Sequence, residues 1–270
     1  LFVPTAPRSP EGLAPLVVAL HGCTQTSSDF AAGTRFDSVA ERAGAYVVYP
    51  EQSVLRNPNR CWNWFLEENQ HRDRGEPREI LDLVESVLER YPIDRRRVYV
   101  AGLSAGGAMA AILAEQAPEL FAAVGIMAGV ALHASHDLAS ARGAMHGVAG
   151  YTHPFPLAPL AGANYARTRA TIWTGGSDRT VNPSNASELA RQFLQLFGMG
   201  DARVERTDAP DMTIERWFDG DVVRVEAVSV RGMGHAWSGG SFRGSHTHPS
   251  GPRASDAMMT FFLNDRNVPA

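Results

Sequence analysis

Val98-Tyr99-Val100-Ala101-Gly102-Leu103-Ser104-Ala105-Gly106-Gly107 is the stretch whose reading decides the fold. A β-branched and aromatic run stops at Gly102, and small residues lead directly into a helix-forming segment, residues 108–116. Gly102 to Gly106 fits G-x-S-x-G, a sharp strand-to-helix turn that lifts a serine above the edge of a sheet. The spacing has a steric cause. A serine held in a strained turn needs neighbours two residues either side that are too small to clash. The helix that starts there aims backbone N–H groups, and the positive end of its dipole, at the same spot. In a chain with 25 glycines the pentapeptide alone is weakly specific; the strand before and the helix after carry the signal.

The same alternation extends in both directions. Apolar runs at residues 16–20, 46–49, 97–101, 121–127 and 170–174 read as strands buried on both faces. Between and after them, helical spacing predicts helices over 30–42, 76–91, 108–116, 137–146, 184–197 and 252–264. Asp219-Gly220-Asp221 separates two strand-like runs, 213–218 and 222–230, as a hairpin turn. Strands alternating with helices predict an α/β fold, a mostly parallel central sheet flanked by helices on both faces. No composition break divides the chain, so one domain over residues 1–270 is expected. Two stretches resist assignment: the polar and aromatic loop 51–75, and residues 129–169, where a lid would insert.

Composition limits the function. With 44% hydrophobic residues over 270 positions the chain is long enough for a large core. A net charge of -4 and the lack of a basic run argue against a nucleic-acid partner, and no apolar run reaches the length of a membrane span. The first residues, Leu1-Phe2-Val3-Pro4, contain no Met and no charged-then-apolar leader, so the chain is read as processed, with any signal peptide removed. Cys23 and Cys61 are the two cysteines. They fit one disulfide or two thiols, and without C-x-x-C spacing they do not suggest zinc. His133 with His136, and His246 with His248, lack acidic companions, and solvated loop positions are expected for them rather than metal ligation.

A serine hydroxyl becomes a useful nucleophile when a base takes its proton and an acid holds that base in the right tautomer. In strand-turn-helix sites of this kind the chain order is Ser, then Asp or Glu, then His. Asp178 closes the strand-turn after residues 170–174, and His235 lies in a glycine-rich turn beyond residues 222–230. Ser104, Asp178 and His235 are therefore the expected triad. Two N–H donors are needed for the oxyanion of a tetrahedral intermediate. Ala105 follows the nucleophile, and Cys23 lies in His21-Gly22-Cys23 at the end of the first strand. His21 is expected to support that loop rather than to act as a ligand.

Five segments together carry a family resemblance: Leu20-His21-Gly22-Cys23, Tyr49-Pro50-Glu51-Gln52, Cys61-Trp62-Asn63-Trp64-Phe65, Gly102 to Gly107, and Gly232-Met233-Gly234-His235-Ala236-Trp237. They resemble the poly(3-hydroxybutyrate) depolymerase family of esterases. The resemblance implies an α/β-hydrolase fold, a Ser104-Asp178-His235 triad and cleavage of carboxylic esters without a cofactor or metal. It also implies a Cys23–Cys61 disulfide, which fits a strand order that sets their two loops side by side, and through it an extracellular or periplasmic protein. Trp62, Trp64 and Trp237 fall on loops at the same edge and are expected to contact substrate; the alternative is that they wedge the loops together. The expected partner is a polyester, an oligoester or a polysaccharide ester. Hydroxyalkanoate esters come first, feruloyl or acetylxylan esters second, and a non-catalytic binding protein of the same fold third.

Overall fold

The computed structural model describes residues 1–5, 12–147 and 164–264. Eight strands form one sheet in the order β2-β1-β3-β4-β5-β8-β7-β6. They are β1 (Ala14–Leu20), β2 (Tyr46–Val48), β3 (Ile93–Leu103), β4 (Phe121–Met127), β5 (Arg169–Gly175), β6 (Arg203–Asp208), β7 (Met212–Asp219) and β8 (Val222–Val230). β2 through β5 and β8 pair in parallel, while β7 and β6 extend that edge antiparallel. The α/β class expected from the alternation is the one observed.

The period of two in the strands sorts the core into two layers. Leu16, Val18 and Leu20 of β1 face one cluster, with α3 (Gly75–Arg90), α4 (Ala105–Gln116) and α6 (Ser184–Leu196). Val17 and Ala19 face the other, with α1 (Ser27–Thr34), α2 (Phe36–Ala43) and α7 (Ala254–Leu263). α4 is buried all round, because the strands that flank it and the loop after β4 leave it no solvent face. α5 (Leu138–His146) starts at Asp137, whose side chain accepts from the Ser140 N–H in a capping box. The 148–163 part of the stretch read as a lid lies outside the described residues.

Three expectations change. The single helix over 30–42 is two, because Arg35 sits at φ 59°, ψ 25°, ends α1 and starts α2 at a new angle. The loop 51–75 is not structureless; it holds a 3-10 turn at Glu67–Gln70 and is tied down throughout. β6 was not foreseen, since Arg203-Val204-Glu205-Arg206-Thr207-Asp208 buries no face and has no alternation to detect. Its charges protect the exposed edge of the sheet against further pairing. Arg35 is exposed and carries a side chain in the left-handed region, so Arg35→Gly should stabilise the protein by roughly 0.5–1 kcal/mol, read as a higher urea midpoint at unchanged slope.

Candidate active site

Ser104 joins β3 to α4 with φ 58° and ψ -119°, a backbone conformation that a side chain rarely adopts. Its N–H donates to the Met127 carbonyl at 2.8 Å, which ties the turn to the end of β4. Glycines permit the turn. A Cβ on Gly102 would stand 2.2 Å from the Gly106 carbonyl oxygen, and one on Gly106 would stand 2.3 Å from the Leu20 carbonyl oxygen. The second approach pushes the start of α4 against the end of β1.

Asp178 and His235 follow β5 and β8, neighbouring parallel strands, so their turns meet at the same edge as Ser104. The turns are linked: Gly176 N–H donates to the Val230 carbonyl at 2.8 Å, and Ser177 N–H to the Met233 carbonyl at 2.9 Å. The Asp178 carboxyl is fully buried and uses both oxygens. Oδ1 accepts from the Thr180 and Val181 N–H groups at 2.8 and 2.9 Å, and Oδ2 accepts from His235 Nδ1 at 2.7 Å. An Nδ1–H donated to that carboxylate is the tautomer that frees Nε2 to serve as a general base. Ser104 Oγ has no hydrogen bond to that ring among the described residues; contacts of this kind tighten when substrate is bound.

Across from Ser104, the loop after β1 is fixed by a buried polar network. Gln52 N–H donates to His21 Nε2 at 3.0 Å, so the ring's proton is on Nδ1, which donates to the Gly22 carbonyl at 2.8 Å. Burial holds the His21 pKa below its ordinary value and keeps the ring neutral. In a planar trans peptide the carbonyl and the N–H point opposite ways. Pinning Gly22 O to the His21 ring therefore turns the Cys23 N–H to the opposite side of that peptide. Among the described residues neither the Cys23 N–H nor the Ala105 N–H donates a hydrogen bond. Two unspent donors are what an oxyanion site requires.

Cys23 is bonded to Cys61, and the Cys61 loop is itself anchored on Glu76 at the start of α3. Glu76 Oε2 accepts from the Asn63 N–H at 2.7 Å, and Oε1 accepts from Asn63 Nδ2 at 2.6 Å and from Gln52 Nε2. Burial pushes the Glu76 pKa up, against the opposing pull of those donors. No motif in the sequence singles out Glu76, which lies in the first turn of its helix.

The tryptophans do not form the expected exposed surface. Trp237 has no solvent exposure, packs edge-on against Phe30 and Phe36, and donates Nε1 to Ser255 Oγ at 3.0 Å. Trp62 and Trp64 are 4% and 6% exposed. Trp62 lies 5.5 Å from the His21 ring and donates to the His21 carbonyl at 3.1 Å. All three are buried in the core clusters rather than facing solvent. His133 also departs from expectation. It is largely buried, with Nδ1 on Gln70 Oε1 and Nε2 on Glu115 Oε1 at 2.9 and 2.8 Å. Burial lowers its pKa, but the bond to Glu115 and that residue's charge outweigh this and raise it. Among the described residues no group of three or more His, Cys, Asp or Glu is arranged to hold a metal, and no helix is long and apolar enough to cross a membrane.

Residues 2–213 match the family model described as esterase PHB depolymerase. The chain belongs to that family. Among its relatives is poly(3-hydroxyalkanoate) depolymerase C of Paucimonas lemoignei, 34% identical over 233 residues, which are 82% of this chain and 55% of that protein. Another is poly(3-hydroxybutyrate) depolymerase of Ralstonia pickettii, 33% identical over 254 residues, 87% of this chain and 50% of that one. The chain thus spans about half the length of these depolymerases. Acetylxylan esterase A of Aspergillus ficuum is 27% identical over 247 residues, 87% of this chain and 79% of the relative. The solved acetyl xylan esterase of Aspergillus awamori superposes with a TM-score of 0.78 at 24% identity, over 97% of this chain and 92% of that one, which establishes the α/β-hydrolase fold.

Two outcomes check this description. Trp237→Ala should cost about 3–5 kcal/mol in denaturant unfolding, the range for emptying a buried aromatic site, where an exposed contact residue would change stability little. Replacing Cys61 by Ala should lower stability by about 4 kcal/mol, the chain-entropy value for a bond across 38 residues.

Proposed function

We propose that the chain is a serine esterase in which Ser104, His235 and Asp178 act as the triad. His235 Nε2 takes the Ser104 hydroxyl proton as Oγ attacks the ester carbonyl. The Cys23 and Ala105 N–H groups stabilise the oxyanion, and the imidazolium, oriented by Asp178, returns the proton to the leaving alcohol. Water then attacks the acyl-serine, with His235 again the base. The observation that carries this reading is the 2.7 Å bond from His235 Nδ1 to a fully buried Asp178, at the same sheet edge as a positive-φ Ser104 heading α4. We read residues 1–270 as one catalytic domain, since both core layers share one sheet.

For the substrate, the higher identity to the poly(3-hydroxyalkanoate) and poly(3-hydroxybutyrate) depolymerases favours hydroxyalkanoate esters, polymeric or oligomeric. Acetyl esters of polysaccharide are the second reading. It is favoured by the polar residues next to Cys23, which are Thr24 and its partners Asn59 and His246, and by the burial of the tryptophans that would have offered flat apolar contact. The Cys23–Cys61 bond supports an oxidising location, extracellular or periplasmic.

Purified protein assayed on hydroxybutyrate oligomers, acetylated xylan and feruloyl esters should turn over the first fastest; a preference for acetylated xylan would select the second reading. Ser104→Ala should abolish turnover and fluorophosphonate labelling, and Asp178→Asn should lower kcat by about 10³–10⁴-fold through the wrong imidazole tautomer. A wild-type protein that takes no label would make this a binding protein.

A further inference from the structure

Beyond the triad, the loop carrying Cys23 is held from a second side by residues far along the chain. Thr24 Oγ1 donates to the Cys23 carbonyl at 2.6 Å, and the same oxygen lies 3.2 Å from His246 Nε2. A threonine hydroxyl has one proton. It is spent on Cys23 O, so the His246 contact is an Nε2–H donating to Thr24. Both residues have positive φ, 67° at Thr24 and 51° at His246, conformations costing about 1–3 kcal/mol each that persist where the surroundings enforce them. The surroundings do so here. Thr24 N–H donates to the Asn59 carbonyl at 2.6 Å, and the His246 carbonyl accepts from the Trp237 N–H at 2.7 Å. Ser245 is clamped by Asp29, its N–H and Oγ donating to the two carboxylate oxygens at 3.0 and 2.6 Å. Burial raises the Asp29 pKa, but the bonds from Ser245 and Gln25 outweigh it and hold the carboxyl below its ordinary value. Gln25 closes the circuit, donating to Asp29 and the Ser245 carbonyl while its Oε1 accepts the Gly22 N–H.

We propose that His246, acting through Thr24, is a positioning residue that fixes the aim of the Cys23 N–H. The peptides on both sides of Cys23 are then held, the Gly22–Cys23 plane by His21 and the Cys23–Thr24 plane by the Thr24 hydroxyl under His246. The inference rests on the esterase reading only for its kinetic consequence. It links the segment after His235 to the oxyanion donor, so base and donor are set by one stretch of chain.

The test pairs isosteric and conservative variants. Thr24→Val and His246→Ala should each lower kcat on a p-nitrophenyl ester by about tenfold, part of the 10²–10³-fold lost with a whole oxyanion donor. KM should stay within about twofold, since the effect is on the transition state. Thr24→Ser and His246→Gln, which keep the hydroxyl and an N–H donor, should retain most activity, and the double variant should lose no more than either single one. Equal loss in Thr24→Ser and Thr24→Val, a change confined to KM, or no change overturns the proposal. ¹⁵N shifts of the His246 ring give a readout independent of turnover. An Nε2–H tautomer that Thr24→Val perturbs supports the relay, and an Nδ1–H ring indifferent to that change overturns it. An inert wild type that shows the Nε2–H signature would refute the esterase reading and leave the relay standing.

Discussion

The close approach of α4 to the end of β1 governs the rest of the carboxyl edge. Gly106 packs where any Cβ would lie 2.3 Å from the Leu20 carbonyl oxygen and 2.5 Å from that of His21. This contact sets the start of α4 against the end of β1, and it seats Ser104 at the head of a buried helix. With a larger residue there, α4 would stand off the sheet, and the turn at Ser104 would shift with it. The steric rule behind G-x-S-x-G is thus about two strands and a helix meeting, as well as about strain at one serine.

A second principle is the use of buried polar groups to hold loops that have no regular structure. Irregular backbone near the sheet must find partners for its N–H and carbonyl groups. His21, Gln25, Gln52 and Glu76 supply them, all nearly or wholly buried. Burial disfavours the charged forms of His21 and Glu76, as the directions of their pKa shifts record. That cost is offset by a single geometry for the segment from Cys61 to Trp64, for the disulfide at its head, and for the peptide that carries the Cys23 N–H. Trp62 adds an apolar cover to the same network, its ring tilted against that of His21 while its N–H satisfies the His21 carbonyl. The loop that carries Cys23 is therefore fixed by groups that lie mostly in other loops.

Much of this was legible in the residues. Continuous apolar runs marked β1, β2, β4 and β5, because strands buried on both faces need no polar positions. The order Ser104, Asp178, His235 was legible because each follows a strand of recognisable type. Other features were not. β6 presents six exposed residues, so no pattern separates it from a loop. The break at Arg35 depends on the direction α2 must take across the sheet, not on a glycine or proline. The tryptophans misled because a large aromatic residue on a polar loop looks the same in sequence whether it faces solvent or fills a gap beneath.

What the sequence alone determined is the class of the fold and the strand-turn-helix that presents Ser104. Periodicity and small-residue spacing are local properties, and they constrain a strand, a turn and a helix within a few residues of one another. Only the tertiary structure decided which polar groups meet. The pairings of Thr24 with His246, Cys23 with Cys61, and Gln52 with Glu76 and His21 join residues 222, 38, 24 and 31 positions apart. No local rule links residues at such separations, since their meeting is set by the stacking of loops at one edge of the sheet. The same stacking buried Trp237.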